Sequence, residues 1–285
     1  MEPISHYFYS SRLKLQFWDW GTEGKPPVVL VHGGRDHARS WDWVARALSG
    51  RWHVYAFDLR GHGNSAWAPG SAYTIAEYMS DLATLVDILS PDPVRLVAHS
   101  LGGAIALSYA AAFPERVHKV VAIEGLGYPH RHSIHQPMLQ QMQRWIAALR
   151  RLGGRSAPGY PTLDEAVARM KEANPRLTDE VARHLTLHGT NRDSDGSLVW
   201  KFDNFVRNTA PYGTGPEEMG EMWSHVRCPV LMPWGLESFM PLPEGDPRVT
   251  RIPNCRLKVY EAAGHWVHHD RFEDFVADTA EFLEG

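Results

Sequence analysis

The amino-acid sequence predicts an α/β fold: a mostly parallel central sheet flanked by helices, interrupted by a helical insertion. Three observations predict it. Short, continuous apolar runs flanked by Gly or Pro recur through the first half, as buried parallel strands require. Segments of helical periodicity separate them, the alternation of βαβ units with right-handed crossovers. The alternation stops near Gly125 and resumes after Thr214, so 1–124 and 215–285 read as one core domain and 125–214 as an inserted cap.

The elements follow in order. His6 to Tyr9 and Lys14 to Trp18 read as a hairpin, with alternation in Leu13, Leu15 and Phe17. Pro27–Val31, His53–Phe57, Val94–Ala98 and Lys119–Ile123 read as buried strands. Ser40–Leu48, Thr74–Leu89 and Leu101–Phe113 read as helices. The last is Ala-rich and apolar nearly all round, so it should lie packed against the sheet. In the insertion, Met138, Met142, Trp145 and Leu149 fall at helical spacing, as do Leu163, Val167 and Met170. Thr178 before Asp179 and Glu180 marks a helix start. DSDGSLVWKFD reads as a turn and a short extended piece. A helix near Glu217–His225, strands Pro229–Trp234 and Arg256–Glu261, and a closing helix from Arg271 to Leu283 complete the chain. Asp270 is the expected N-cap of that helix, with Glu273 three residues on.

Composition narrows the function classes. The 285 residues are 44% hydrophobic and 22% charged, ordinary for a globular protein. With 29 basic against 33 acidic residues, the chain offers no basic surface for nucleic acid and no polybasic membrane anchor. The longest nearly apolar stretch, Leu101 to Phe113, is shorter than the ~20 residues that span a bilayer. MEPISHYFYS carries no secretion signal, and Cys228 and Cys255 fit no metal or redox spacing. A reducing cytoplasm is the expected compartment. Eleven Trp are enough to line an apolar pocket, though core packing accounts for most.

Three segments carry chemistry. The first is AHSLGG, Ala98 to Gly103. A lone Ser-x-Gly recurs by chance, but here a predicted strand runs into Ser100 and a predicted helix leaves it. Such a turn presents a serine hydroxyl at the sheet's carboxyl edge and needs small neighbours. Ala98 stands where this turn usually has Gly. The second is VHGGRD, Val31 to Asp36, directly after a strand. Its glycines let backbone N–H groups approach a ligand, and acyl transfer needs two such donors at the developing oxyanion. The amides of Gly34 and Leu101 are the candidates; a plain tight turn is the alternative. The third is AAGHWVHHDRFEDF, in which His265 follows the last strand and can take and return the Ser100 proton. His268 and His269 are expected at the surface. His130, His132 and His135 have a spacing that could ligate a metal, but no acid or cysteine accompanies them, so a solvated loop is expected.

These segments, with the nucleophile preceding the histidine, resemble the α/β-hydrolase family. DLRGHGNS, Asp58 to Ser65, resembles that family's loop after its fourth strand. The resemblance covers nearly all of the chain and weakens only in the insertion, which resembles the family's variable cap. It implies a Ser-His-acid triad, no cofactor and a small-molecule substrate. Epoxide hydrolases and haloalkane dehalogenases of the family carry Asp at the nucleophile position. Ser100 argues against both and favours esterases, lipases, lactonases and carbon–carbon bond hydrolases.

The triad acid departs from the family's usual pattern. That acid follows the strand Pro229–Trp234, three residues after a Gly, where this chain has Ser238. Glu237 stands one residue early. Glu124, at the end of Lys119–Ile123 in VVAIEGLG, matches the place used by some family members, and is the preferred acid; Glu237 is the alternative. In the preferred case Ser238 is expected to hydrogen-bond Glu124. Trp145, Met142 and Trp200 are candidates for the pocket, with a small core of the insertion itself as the preferred reading for Met142 and Trp145. Three functions fit: a carboxylic ester hydrolase working through an acyl-enzyme, a carbon–carbon bond hydrolase of diketones, and a binding protein that kept the fold without the activity.

Overall fold

The chain starts with a hairpin of β1 (Ile4–Ser10) and β2 (Leu13–Asp19), in register with Ser10 opposite Leu13. Only Ser11 and Arg12 turn the chain, both at positive φ (46° and 70°), the backbone hand that matches the twist of the strands. In this computed structural model, residues 2–71, 73–127, 137–153, 158–208 and 215–285 are described. His130, His132 and His135 lie outside them.

The βα alternation follows: β3 (Pro27–Val31), α1 (Asp42–Leu48), β4 (His53–Phe57), α2 (Ile75–Leu89), β5 (Val94–His99), α3 (Leu101–Ala112) and β6 (Val117–Ile123). A 3-10 turn at Ala38–Trp41 leads into α1, so that helix begins slightly later than its periodicity suggests. Thr74 and Glu77 cap α2 reciprocally. Residues 137–208 contribute α4 (Met138–Gly153), α5 (Leu163–Ala173), α6 (Asp179–Gly189) and a small hairpin of β7 (Thr190–Arg192) and β8 (Leu198–Trp200). Thr178 caps α6 as expected, its hydroxyl accepting the Val181 N–H. The chain closes with α7 (Pro216–Trp223), β9 (Val230–Gly235), α8 (Pro247–Thr250), β10 (Cys255–Tyr260), α9 (Val267–Asp270) and α10 (Phe272–Glu284).

Eight strands form one sheet in the order β1-β2-β4-β3-β5-β6-β9-β10. The pairs β1·β2 and β2·β4 are antiparallel and the rest parallel. Pleating divides the core. Val29, Val31, Leu96, Ala98, Val120 and Ala122 face α2, α3 and α7. Val28, Leu30, Val97, Val121 and Ile123 face α1, α10 and a cluster of Trp20, Trp41 and Trp52. A small third core, Leu177, Ala182 and Leu185, joins α5 and α6 and packs on Trp266. The insertion's own core therefore sits here and not on Met142 and Trp145: α4 has no buried residue, Met142 is exposed and Trp145 half-buried.

Two expectations near the C-terminus fail for one reason. A short helix, α9, intervenes between His265 and α10, so Asp270 ends one helix and does not cap the next. Its carboxylate instead accepts the Gly264 N–H at 2.7 Å. The same helix turns His268 inward, fully buried and stacked on Trp41 at 4.6 Å between centroids, while His269 is half-buried.

Burial holds His32, His37, His62, His99 and His268 well on the neutral side, each below the ordinary histidine range. Unfolded histidines titrate near 6.5, so this stability is fully present above that pH and is lost as pH falls below it. Buried Asp36 and Asp58 oppose the trend, because burial raises them to about 7 and about 6 and they gain protons on the way down. His188 and His269 are lowered in the same way, so the histidines outnumber the two carboxyls, unfolding takes up protons and stability falls as pH drops below 6. Calorimetry should show the midpoint falling steeply from pH 6.5 to pH 5; a flat midpoint over that range contradicts the buried neutral state.

Candidate active site

Ser100 stands between β5 and α3 with φ 51° and ψ −112°. A non-glycine residue occupies that region only under constraint. The constraint is visible on both sides. The Ser100 N–H donates to the Ile123 carbonyl at 2.8 Å, and its carbonyl accepts the Ala104 N–H at 3.1 Å. The helix after it must press on the sheet. A Cβ on Gly102 would lie 2.3 Å from the Val31 carbonyl oxygen, and one on Gly103 would lie 2.4 Å from the Gly125 Cα. Ala98, in place of Gly, pairs with Ala122 on β6 and is buried in the core.

The His-Gly-Gly turn after β3 lies against this elbow. A Cβ on Gly33 would meet His99 Nδ1 at 2.7 Å and Ser100 Cβ at 3.4 Å, and one on Gly34 would meet Leu101 Cδ2 at 3.9 Å. Among the described residues, neither the Gly34 nor the Leu101 amide donates to a backbone carbonyl. His32 braces the turn from inside. Its Nε2 accepts the Leu59 N–H at 3.0 Å, so the proton sits on Nδ1, which donates to the Gly33 carbonyl at 2.7 Å.

His265 lies in the loop between β10 and α9, and its Nδ1 is 2.5 Å from Glu124 Oε2. An ionised carboxylate only accepts, so Nδ1 carries the proton and Nε2 is left as the basic nitrogen. Glu124 follows β6 directly, at φ 45°, and is buried. Its other partners are the Gly235 N–H at 2.9 Å and the Ser238 hydroxyl at 2.6 Å, the latter as expected from the sequence. Glu237 points elsewhere, into an ion pair with Arg176 on the surface. The one-residue offset that separates Glu237 from Ser238 thus sends one side chain to solvent and the other to Glu124.

Sequence reasoning missed His99. It is buried, and its Nε2 donates to the His265 carbonyl at 3.0 Å, with the two rings 4.6 Å apart. The residue before Ser100 thereby holds the loop that carries His265. A histidine inside an otherwise apolar strand was the available signal.

Gly34, Ser100 and His265 border one cavity of about 540 Å³. Trp200, Phe202, Phe239 and Trp266 give it aromatic walls. Trp200 therefore sits where the sequence placed it, while Met142 and Trp145 do not border this cavity. Phe239 stands 4.7 Å from the His265 ring. Asp42, His184 and His188 cluster away from this cavity with metal-like spacing, but Arg39 Nη2 already holds Asp42 at 2.6 Å and opposes a second cation.

The match to a known family agrees with this geometry: the alpha/beta hydrolase fold matches residues 26–272. The chain belongs to the alpha/beta hydrolase family. A serine hydrolase-like protein of Danio rerio is 28% identical over 275 residues, covering 93% of this chain and 83% of that one. A 2-hydroxy-6-oxononadienedioate/2-hydroxy-6-oxononatrienedioate hydrolase of Pseudomonas putida is 28% identical over 282 residues, covering 95% and 92%. Among solved structures, the thioesterase domain from the curacin biosynthetic pathway superposes with a TM-score of 0.86 at 21% identity, covering 97% of this chain and 98% of that one. The chain is a hydrolase by family, and no helix among its described residues is long and apolar enough to cross a membrane.

The glycine contacts make a steric prediction. Gly102→Ala drives a methyl into the Val31 and His32 carbonyls, which belong to the sheet edge and have no free direction to move. Overpacking of this kind costs about 1–3 kcal/mol, which at roughly 2–4 °C per kcal/mol lowers the melting midpoint by about 2–12 °C. A Gly102→Ala protein that melts with wild type shows that α3 does not press on the sheet as described.

Proposed function

We propose that the protein is a serine hydrolase that cleaves a small, largely apolar carboxylic ester through an acyl-enzyme. The observation that carries this reading is the Glu124–His265 hydrogen bond, made beside a serine held at positive φ and opening on one cavity. Ser100 Oγ attacks the ester carbonyl carbon as His265 Nε2 takes its proton. The oxyanion is received by the Gly34 and Leu101 amides. His265 returns the proton to the departing alkoxide oxygen, the C–O bond breaks, and the acyl group stays on Ser100. Water, deprotonated by His265, then attacks the acyl carbonyl and frees the acid and Ser100.

Glu124 is the orienting acid. Its carboxylate meets the Gly235 N–H, the Ser238 hydroxyl and His265 Nδ1, so it fixes the tautomer of His265 and stabilises the imidazolium. This chemistry needs no cofactor or metal. Residues 125–214 act as the cap over the site and supply Trp200 and Phe202 to its wall. The same residues suit a second reading, hydrolysis of a carbon–carbon bond in a diketone; the Pseudomonas putida relative is by name a hydrolase of 2-hydroxy-6-oxo dioates. A binding protein without turnover is the third, and the complete Glu124–His265–Ser238 network speaks against it.

Hydrolysis of p-nitrophenyl esters of increasing acyl length tests the reading. Wild type should turn over and Ser100→Ala should not. Glu124→Gln should lower kcat by about three to four powers of ten, as loss of the orienting acid does elsewhere, while Glu237→Gln stays within about twofold. Equal effects of the two Gln variants exclude Glu124 as the orienting acid. Inactivity of wild type on every ester, with turnover of a diketone, transfers the assignment to carbon–carbon bond cleavage.

A further inference from the structure

The charge on the cavity wall differs from that of the chain as a whole. Acids outnumber bases in the sequence, 33 to 29, yet the described residues that line the cavity include Arg35, Arg169 and Arg207 and no Asp or Glu. Two of these arginines have other engagements. Arg169 Nη1 donates to Glu172 at 2.8 Å, and the Arg207 guanidinium lies over the Phe202 ring at 5.4 Å.

Arg35 is different. It is exposed, stands next to Gly34 at the mouth of the proposed oxyanion hole, and makes no ion pair among the described residues. Its backbone is left-handed, with φ 64°. An L-residue there costs about 1–2 kcal/mol that glycine would not, so the position keeps its side chain against a local cost. The adjacent acid is no counter-ion for it. Asp36 is buried with Oδ1 accepting the His37 N–H at 2.8 Å, and burial lifts its carboxyl to about 7. A planar guanidinium with free donors matches the two oxygens of one carboxylate.

Resting on the ester-hydrolase reading, we propose that the substrate is an ester with an apolar body and a free carboxylate on its acyl chain, and that Arg35 seats that carboxylate. The aromatic walls take the body. The carboxylate lies within a short acyl chain of the scissile carbonyl, because Arg35 is one residue from Gly34.

The experiment compares the mono-p-nitrophenyl ester of glutarate with p-nitrophenyl pentanoate, the uncharged chain of equal length. Wild type should favour the glutarate ester in kcat/KM by about tenfold or more, the worth of one charged hydrogen-bond pair. In Arg35→Gln that ratio should fall about tenfold through KM, and Arg35→Lys should keep part of it. Raising salt from about 20 to about 500 mM should erode the preference in wild type. An unchanged ratio in Arg35→Gln, or a wild type that prefers pentanoate, overturns the proposal. If wild type hydrolyses neither ester, the ester reading fails and binding decides the anion site alone. Calorimetry on Ser100→Ala should then detect monomethyl glutarate in preference to methyl pentanoate, with the preference lost in Ser100→Ala/Arg35→Gln. Equal binding of both, or of neither, overturns it.

Discussion

The parallel register between β5 and β6 governs the arrangement of the whole site. One backbone hydrogen bond, from the Ser100 N–H to the Ile123 carbonyl, ends the ladder and places Ser100 beside the residue that precedes Glu124. Both side chains then leave the sheet at the same edge from neighbouring strands, each at a positive φ that carries it out of the pleat. Open α/β sheets bind ligands at that edge because loops from several strands converge there. The histidine is brought to this pair from the far end of the chain by β10, and its loop is tied back to the nucleophile strand through His99.

The residues between β6 and α7 are fastened to the core at separate points, each through the loops already used for the site. His37, just past the His-Gly-Gly turn, reaches the Leu185 carbonyl at 2.9 Å. The loop Asp58–Ser65 is folded around the buried Asp58 carboxylate, which accepts the Ala38 and Asn64 amides at 2.7 and 2.9 Å. From there the Gly61 carbonyl accepts the Asp203 N–H, and Tyr73 donates to Asp203 at 2.5 Å. The buried Arg60–Asp81 pair holds that same loop on α2. Breaking such a pair costs on the order of 3–5 kcal/mol, so the loop is firmly fastened where it meets Asp203. Trp266, the residue after His265, completes the attachment by packing into the α5–α6 core.

Much of this was legible in the sequence because the signals were local. Strands such as Pro27–Val31 are buried on both faces, so they read as unbroken apolar runs. The nucleophile turn and the His-Gly-Gly turn carry backbone demands that only small residues meet. Glu124 was preferred on resemblance, and its partners Gly235 and Ser238 lie more than a hundred residues away, so its network was only partly foreseen. What failed was tertiary. His268 reads as a polar surface residue until α9 turns it against Trp41. Asp270 has the spacing of a cap, but a break between α9 and α10 leaves its carboxylate to Gly264. The α4 stripe of Met138, Met142 and Trp145 has helical periodicity, yet periodicity alone does not say that a face is covered.

Under the proposed mechanism, an acid placed after β6 has a consequence for how this scaffold can change. The segment Leu236–Leu242 is relieved of supplying an ionised group to the histidine and contributes only a hydroxyl, from Ser238, to the carboxylate. Leu236, Glu237, Phe239, Pro241 and Leu242 are exposed, Phe239 at the cavity wall, while Met240 is buried in the core. Exposed positions there, Phe239 among them, can be randomised with selection acting on substrate shape, while Ser100 and Glu124 stay fixed at the ends of the paired strands β5 and β6. A library restricted to this segment and its cavity-facing positions separates evolvability of recognition from the integrity of the chemical step.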